Sequence, residues 1–243
     1  MSITSISTQL RDLLFPPACL ICQQALNNSA SVCQECNSKI TPLVQPRLCC
    51  RCALPLPAEE LTSPCGTCLV NPPAHQRAIS LFVYREAVRD AILRWKLGGD
   101  GRAIEWLLAI ATETVRHTIQ PPDLLIPIPM PLQRMRKTGQ HHAANLCRAV
   151  AERTGCRWEW RWLRRCGSQP RQSALSIQKR RKNLRRAFQL DRRYQPELTT
   201  NSTIWLIDDI MTTGATMNFA ARAITRYHPA CGAFTLARTL RNS

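Results

Sequence analysis

The chain has 243 residues, 44% of them hydrophobic, enough for one large domain or a medium domain with a small module. No apolar run approaches the roughly 20 residues that cross a bilayer, and the longest, AIEWLLAIA from Ala103, also carries Glu105, so a membrane span is excluded as an expectation. The formal charge of +17 is concentrated in residues 134–193, where eighteen Lys and Arg face three acids for a net +15, while residues 1–75 balance four basic against four acidic groups; such a concentrated basic face favours polyanions.

The N-terminus, MSITSISTQLRDLLFPP, has no basic start followed by a long apolar stretch. It therefore predicts no signal peptide and a cytoplasmic protein. Thirteen cysteines are many for that compartment, where disulfides are disfavoured, so clustered cysteines point to metal.

Nine of the thirteen lie within residues 19–68. Cys19-x2-Cys22 is followed by Cys33-x2-Cys36, and Cys49-x2-Cys52 by Cys65-x2-Cys68. Each C-x-x-C pair forms a tight knuckle that aims two thiolates at one point. Two knuckles close a tetrahedral Zn2+ site with no open position, which makes it structural. The reading is up to two structural Zn2+ ions in a double zinc-ribbon module spanning residues 1–75. In the run CCRC, Cys50 competes with Cys49 as a ligand, although only Cys49 keeps the two-residue gap to Cys52. Cys147, Cys156, Cys166 and Cys231 are scattered and read as small apolar side chains.

After the proline-rich break NPPAH the pattern changes, and residues 76–243 read as a second, larger domain. Ala78–Tyr84 is a predicted strand and Ala87–Leu97 a predicted helix with Val88, Ala91, Ile92 and Trp95 on one face. GGDG breaks it, and a second helix is expected over Ile104–Val115. Asp123–Pro129 reads as a strand ended by prolines, and His142–Thr154 as a helix. WEWRWL, from Trp158, alternates at period two and puts its three tryptophans on one face, a pattern that reads as core packing over base stacking. Ile204–Asp208 is a predicted strand, Gly214–His228 a helix and Ala233–Arg238 a final strand. Strands alternating with helices predict an α/β domain with a largely parallel sheet.

Ligands in such sheets sit beyond the carboxyl ends of the strands. Asp208 and Asp209 lie at one of these ends, and the turn through Thr212, Thr213, Gly214, Ala215 and Thr216 opens the next helix. Helix-start N–H groups and the helix dipole favour an anion there. Three threonine hydroxyls add donors, and glycine permits close approach. Carboxylates only accept, so the adjacent acids suit a vicinal diol, a hydrated Mg2+, or both. A 5-phosphoribosyl group has that combination of features.

IDDIMTTGAT is similar to the 5-phosphoribosyl-1-pyrophosphate (PRPP) motif of type I phosphoribosyltransferases. Preceded by two zinc knuckle pairs, it resembles the ComF/GntX family over nearly the whole chain. Further matches are Pro127 and Pro129, Lys96, and the series Gln172, Leu175, Arg180, Asn183, Ala187 and Phe188. The resemblance implies a type I phosphoribosyltransferase-like parallel sheet flanked by helices and preceded by a small double zinc ribbon. It implies a role in natural competence or in the use of external DNA. Where the family has Arg-Gly-Phe-Asn-Gln after the Pro-x-Pro strand, this chain has Thr138, Gly139, Gln140, His141 and His142; Ala53 stands where the second knuckle usually has glycine.

Two functions follow from that resemblance. In one, the pocket binds PRPP or a nucleotide with Mg2+, the basic face binds single-stranded DNA, and the ribbons dock a DNA-uptake helicase. In the other, an active phosphoribosyltransferase transfers the phosphoribosyl group to an acceptor the sequence does not name. Lys96, Arg134 and Arg136 are the candidates for stabilising the pyrophosphate. No catalytic base stands out.

Overall fold

The computed structural model describes residues 17–43, 47–57, 64–131, 135–136, 139–166 and 187–240. Arg134, Thr138, Gln172, Leu175, Arg180 and Asn183, all named from the sequence, lie outside the described residues. In chain order the elements are α1 (Gln34–Ser38), α2 (Gly66–Val70), β1 (Arg77–Val83), α3 (Glu86–Gly98), α4 (Arg102–Ile110), α5 (Thr112–Thr118) and β2 (Leu124–Pro127). They continue with α6 (His142–Thr154), β3 (Arg157–Trp158), β4 (Leu163–Arg165), β5 (Phe188–Leu190), a 3-10 turn (Arg192–Tyr194), β6 (Ile204–Met211), α7 (Ala215–Ile224) and β7 (Cys231–Arg238).

The chain groups into two compact units. The first comprises the described part of residues 1–41 together with Arg85–Ala109. Its helix α3 buries Val88, Ala91, Ile92 and Trp95, the face its 3–4 spacing predicts. Arg94 Nε donates to the carbonyl of Ile21 at 3.1 Å, which ties α3 to the first cysteine knuckle.

The second unit, Pro42–Tyr84 with Ile110–Ser243, holds a five-stranded sheet of order β1-β7-β6-β2-β3. Every neighbouring pair in it is parallel. Ile204, Leu206, Leu124, Ile126 and Ala233 share a core cluster with Met217, Ala220, Ala221 and Ile224 of α7. The alternate residues Leu125, Trp205, Ile207 and Phe234 are buried as well, so both faces of the sheet are covered, as a parallel sheet requires. Helix α6 packs on β2, β3 and β6.

Three polar contacts lie inside this core. Ser80 and Thr235, paired across β1 and β7, share a hydroxyl hydrogen bond of 2.6 Å. Asp123 accepts the backbone N–H of Thr203 and the indole N–H of Trp205, each at 2.9 Å. Beneath that indole sits Gly232, where an added Cβ would lie 2.6 Å from Trp205 Cε3, so only glycine fits.

Several expectations need correction. The helix expected over Ile104–Val115 is two helices, α4 and α5, interrupted where Ala111 leaves helical dihedrals (φ −102°, ψ 11°). Strand β6 continues past the paired acids to Met211, because Ile210 and Met211 still pair with Ala237 and Arg238 of β7. Helix α7 ends at Ile224 rather than His228. The three tryptophans of WEWRWL do not share one environment: Trp162 is buried against the core and meets Tyr227 edge-on at 5.0 Å, but Trp158 and Trp160 are 36% and 53% exposed. β3 is a two-residue edge strand, so the period-two pattern runs out into solvent there.

Candidate functional site

The cysteine knuckles assemble as their spacing predicts. The sulfurs of Cys19, Cys22, Cys33 and Cys36 all lie within 4.8 Å of one another, as do those of Cys49, Cys52, Cys65 and Cys68. Cys49 is fully buried within the second set, while Cys50 is exposed and outside it, so Cys49 rather than Cys50 completes the second four-thiol cluster. Four thiol donors at a common point fit tetrahedral Zn2+, and the two four-cysteine sites match a double zinc ribbon.

Backbone amides prepare one thiolate in each set. Burial opposes ionisation of Cys19, but N–H groups of Cys33, Cys22 and Ile21 outweigh it and hold the thiol at about 6. Cys49 is likewise buried, and the amides of Cys65 and Arg51 bring it down to about 7. Burial and the neighbouring thiols push Cys36 and Cys68 well above the ordinary range. A bound cation reverses that balance by stabilising every thiolate.

The second knuckle is also stitched to the sheet. The carbonyl of Cys50 accepts the N–H of Ala78 at 2.6 Å, the carbonyl of Arg51 meets His75 Nε2 at 2.9 Å, and Ala53 is buried in the same core cluster as Ala78 and Ala233. Ala53 holds φ +54°, a left-handed conformation that glycine adopts without strain.

The paired acids sit near the carboxyl end of β6. Strand alternation gives Asp208 the parity of Leu206, which packs with α7, and gives Asp209 the parity of Trp205 and Ile207. Asp208 Oδ1 accepts the backbone N–H of Asp209 at 2.9 Å. Asp208 is half-buried and Asp209 is buried. Thr212 and Thr213 are exposed in the turn that follows. Gly214 is the residue before α7, in a left-handed conformation (φ 75°) and with no side-chain cap bond at that helix start. Ala215 N–H reaches Thr213 Oγ1 only at 3.4 Å. The ten-residue helix α7 begins directly after this turn, and a helix start of that kind favours an anion.

One neighbour of this site was not singled out from the sequence. Arg165, at the end of β4, is half-buried; burial lowers its pKa, and the carboxylate of Asp208 partly offsets that. Its guanidinium also stacks 5.6 Å from the ring of Phe188. Arg165 was one of eighteen cations in a charge run, and only the pairing of β4 with β5 distinguishes it.

The remaining candidates are placed as follows. Lys96 lies in the last turn of α3, in the first compact unit, whereas Asp208 and Asp209 belong to the second. Arg136 is exposed beyond β2. His141 is the N-cap of α6 and accepts the N–H of Ala144 at Nδ1, 3.1 Å. Met130 N also lies 3.4 Å from Nε2, but a neutral ring accepts at one nitrogen only, and the shorter contact is the hydrogen bond. His142 is buried at the start of the same helix. Both histidines therefore serve the helix start and core.

A chain that carries both a parallel α/β sheet and two four-cysteine sites is a zinc-ribbon α/β protein. The double zinc ribbon domain family matches residues 10–69. The chain is 28% identical over 220 residues to DNA utilization protein YhgH of Salmonella typhimurium, covering 88% of this chain and 93% of that protein. The same figures hold for DNA utilization protein YhgH of Escherichia coli K12. Competence protein F of Haemophilus influenzae is 24% identical over 227 residues, 86% of this chain and 90% of that protein. The chain is thus similar over most of its length to DNA utilization protein YhgH and to Competence protein F. Among the described residues no helix is long and apolar enough to cross a membrane.

Proposed function

We propose that this chain acts in the uptake or utilisation of external DNA. It binds PRPP or a nucleotide's 5-phosphoribosyl group at the β6–α7 turn and single-stranded DNA on its basic face. The observation that carries the reading is the succession Asp208, Asp209, exposed Thr212 and Thr213, and left-handed Gly214 at the start of α7. In this reading the α7 start and the threonine hydroxyls hold the 5′-phosphate. Asp208 and Asp209 hold the ribose hydroxyls and a hydrated Mg2+, which would supply charge neutralisation for the pyrophosphate.

The names of the relatives, a DNA utilization protein and a competence protein, support the DNA-handling role. The net +15 of residues 134–193 supports a polyanion partner. A DNA-uptake helicase is the proposed protein partner for the ribbons; Leu69 and Val70, 65% and 79% exposed on α2, offer an apolar contact there.

The test is titration with PRPP, 5′-nucleotides and single-stranded DNA, with and without Mg2+, at two salt concentrations. The reading expects saturable, Mg2+-assisted binding of the phosphoribosyl ligand. It expects DNA affinity to fall with salt by about 0.7 log units per decade for each phosphate contacted. A flat salt response overturns the DNA arm. Release of pyrophosphate from PRPP on adding a nucleobase would move the reading to an active phosphoribosyltransferase.

A further inference from the structure

The exposed tryptophans occur in a setting that their sequence pattern does not reveal. Trp158 ends β3, the edge strand of the five-stranded sheet, and Trp160 lies two residues beyond it. Both are exposed, whereas Trp162 beyond them is 1% exposed and anchors the segment in the core. The anchor is reinforced by the N–H of Asp191 donating to the carbonyl of Trp162 at 2.8 Å and by that of Glu159 donating to Leu125 at 2.9 Å. The two indoles therefore stand on a fixed base.

Arginines follow them closely in the chain. The described residues 157–166 and 187–194 contain six arginines and two acids, a net +4. The two acids orient guanidiniums more than they cancel them. Glu159 holds Arg161 through two contacts of 3.2 Å, and Asp191 holds Arg164 at 2.7 Å and Arg193 at 2.9 Å. All three guanidiniums gather around the ring of Tyr194, Arg161 at 4.4 Å and Arg164 and Arg193 at 5.7 Å from its centroid. Each guanidinium carries five donors, so one carboxylate partner leaves others for a phosphate.

Exposed indoles followed in the chain by ordered guanidiniums match a single-stranded nucleic acid, whose bases stack on aromatic faces while its phosphates meet cations. A duplex offers no free base faces to such a platform. We propose that Trp158 and Trp160 are the base-stacking platform for single-stranded DNA, with Arg161, Arg164 and Arg193 as its phosphate contacts. This assignment rests on the DNA-binding reading above and gives it a location.

The test uses the full-length, zinc-loaded protein and a fluorescent 20-nucleotide oligo(dT). The double variant W158A/W160A is expected to lose roughly tenfold to a hundredfold in affinity, about tenfold per stacked base. Its log–log salt slope should stay at the wild-type value, while R161Q/R164Q lowers that slope by about 1.4, the share of two single-strand phosphate contacts. W158F/W160F keeps an aromatic face and should retain most of the affinity, which separates stacking from misfolding. Oligo(dT) should quench the intrinsic fluorescence of wild type, and most of the quench should be lost in W158A/W160A, because Trp95, Trp162 and Trp205 are buried and Trp106 is half-buried on α4. If wild type binds oligo(dT) but W158A/W160A binds it within twofold, the platform is wrong and the pair is a protein-contact face. If wild type does not bind oligo(dT) even at low salt, the broader DNA reading fails instead.

Discussion

Trp205 Nε1 donates to Asp123 Oδ2 at 2.9 Å, a buried hydrogen bond between residues 82 apart in the chain. The other carboxylate oxygen takes the N–H of Thr203 at 2.9 Å. One carboxylate at the head of β2 thereby fixes the start of β6, the strand that carries Asp208 and Asp209.

Removing that carboxylate strands two buried donors. Asp123→Ala is expected to cost about 2–6 kcal/mol, from the usual penalty of about 1–3 kcal/mol per unsatisfied buried group. Asp123→Asn keeps one acceptor and should cost about half as much. Urea unfolding at fixed zinc content measures both; a loss for Asp123→Ala indistinguishable from zero would show that β6 is held by the sheet alone.

The two four-cysteine sites predict a metal count. Wild type should carry two Zn2+ per chain, Cys50→Ser should keep both, and Cys49→Ser should keep one, because only Cys49 lies within the second sulfur cluster. Elemental analysis after mild chelation reads this directly. Retention of two Zn2+ in Cys49→Ser, or loss of one in Cys50→Ser, would reverse the ligand assignment. Full chelation should loosen the second knuckle's contacts to His75 and Ala78 and lower the cooperativity of unfolding.

His75 predicts an acid sensitivity. Burial pushes its pKa down to about 4 from the usual 6.5. In the unfolded chain the ring takes up a proton below about pH 6.5, which the folded site resists until about pH 4. The neutral ring's contribution is therefore complete above pH 6.5 and is lost as pH falls toward 4. His75→Asn should shrink the drop in unfolding free energy between about pH 7 and about pH 4.5 by about 2 kcal/mol at saturating zinc. An unchanged drop would mean that the ring protonates in the fold without cost.

The parts of this molecule that were legible in the sequence are those written in local spacing. The C-x-x-C pairs fix their own geometry, and the 3–4 periodicity of α3 and the apolar run of β6 predict their elements without knowing the neighbours. What was not legible depends on distant residues. The exposure of Trp158 and Trp160 follows from β3 being an edge strand, which alternation within WEWRWL cannot reveal. The continuation of β6 past Asp209 depends on Ala237 and Arg238 of β7. Arg165 stands out only once β4 and β5 bring it beside Phe188 and Asp208. The attachment of the second knuckle to Ala78 crosses 28 residues, Cys50 to Ala78, and leaves no periodic trace.

The central claim is that Asp208 and Asp209 serve a phosphoribosyl ligand at the start of α7. Calorimetric titration of PRPP with Mg2+ into wild type and into Asp208→Asn/Asp209→Asn tests it most directly. Wild type should bind saturably at one site and lose affinity when Mg2+ is withheld; the double variant, with zinc content and fold intact, should bind at least about tenfold more weakly, the usual scale for removing charge-assisted contacts to a ligand. Equal binding by wild type and double variant, or no PRPP binding by wild type, would contradict it.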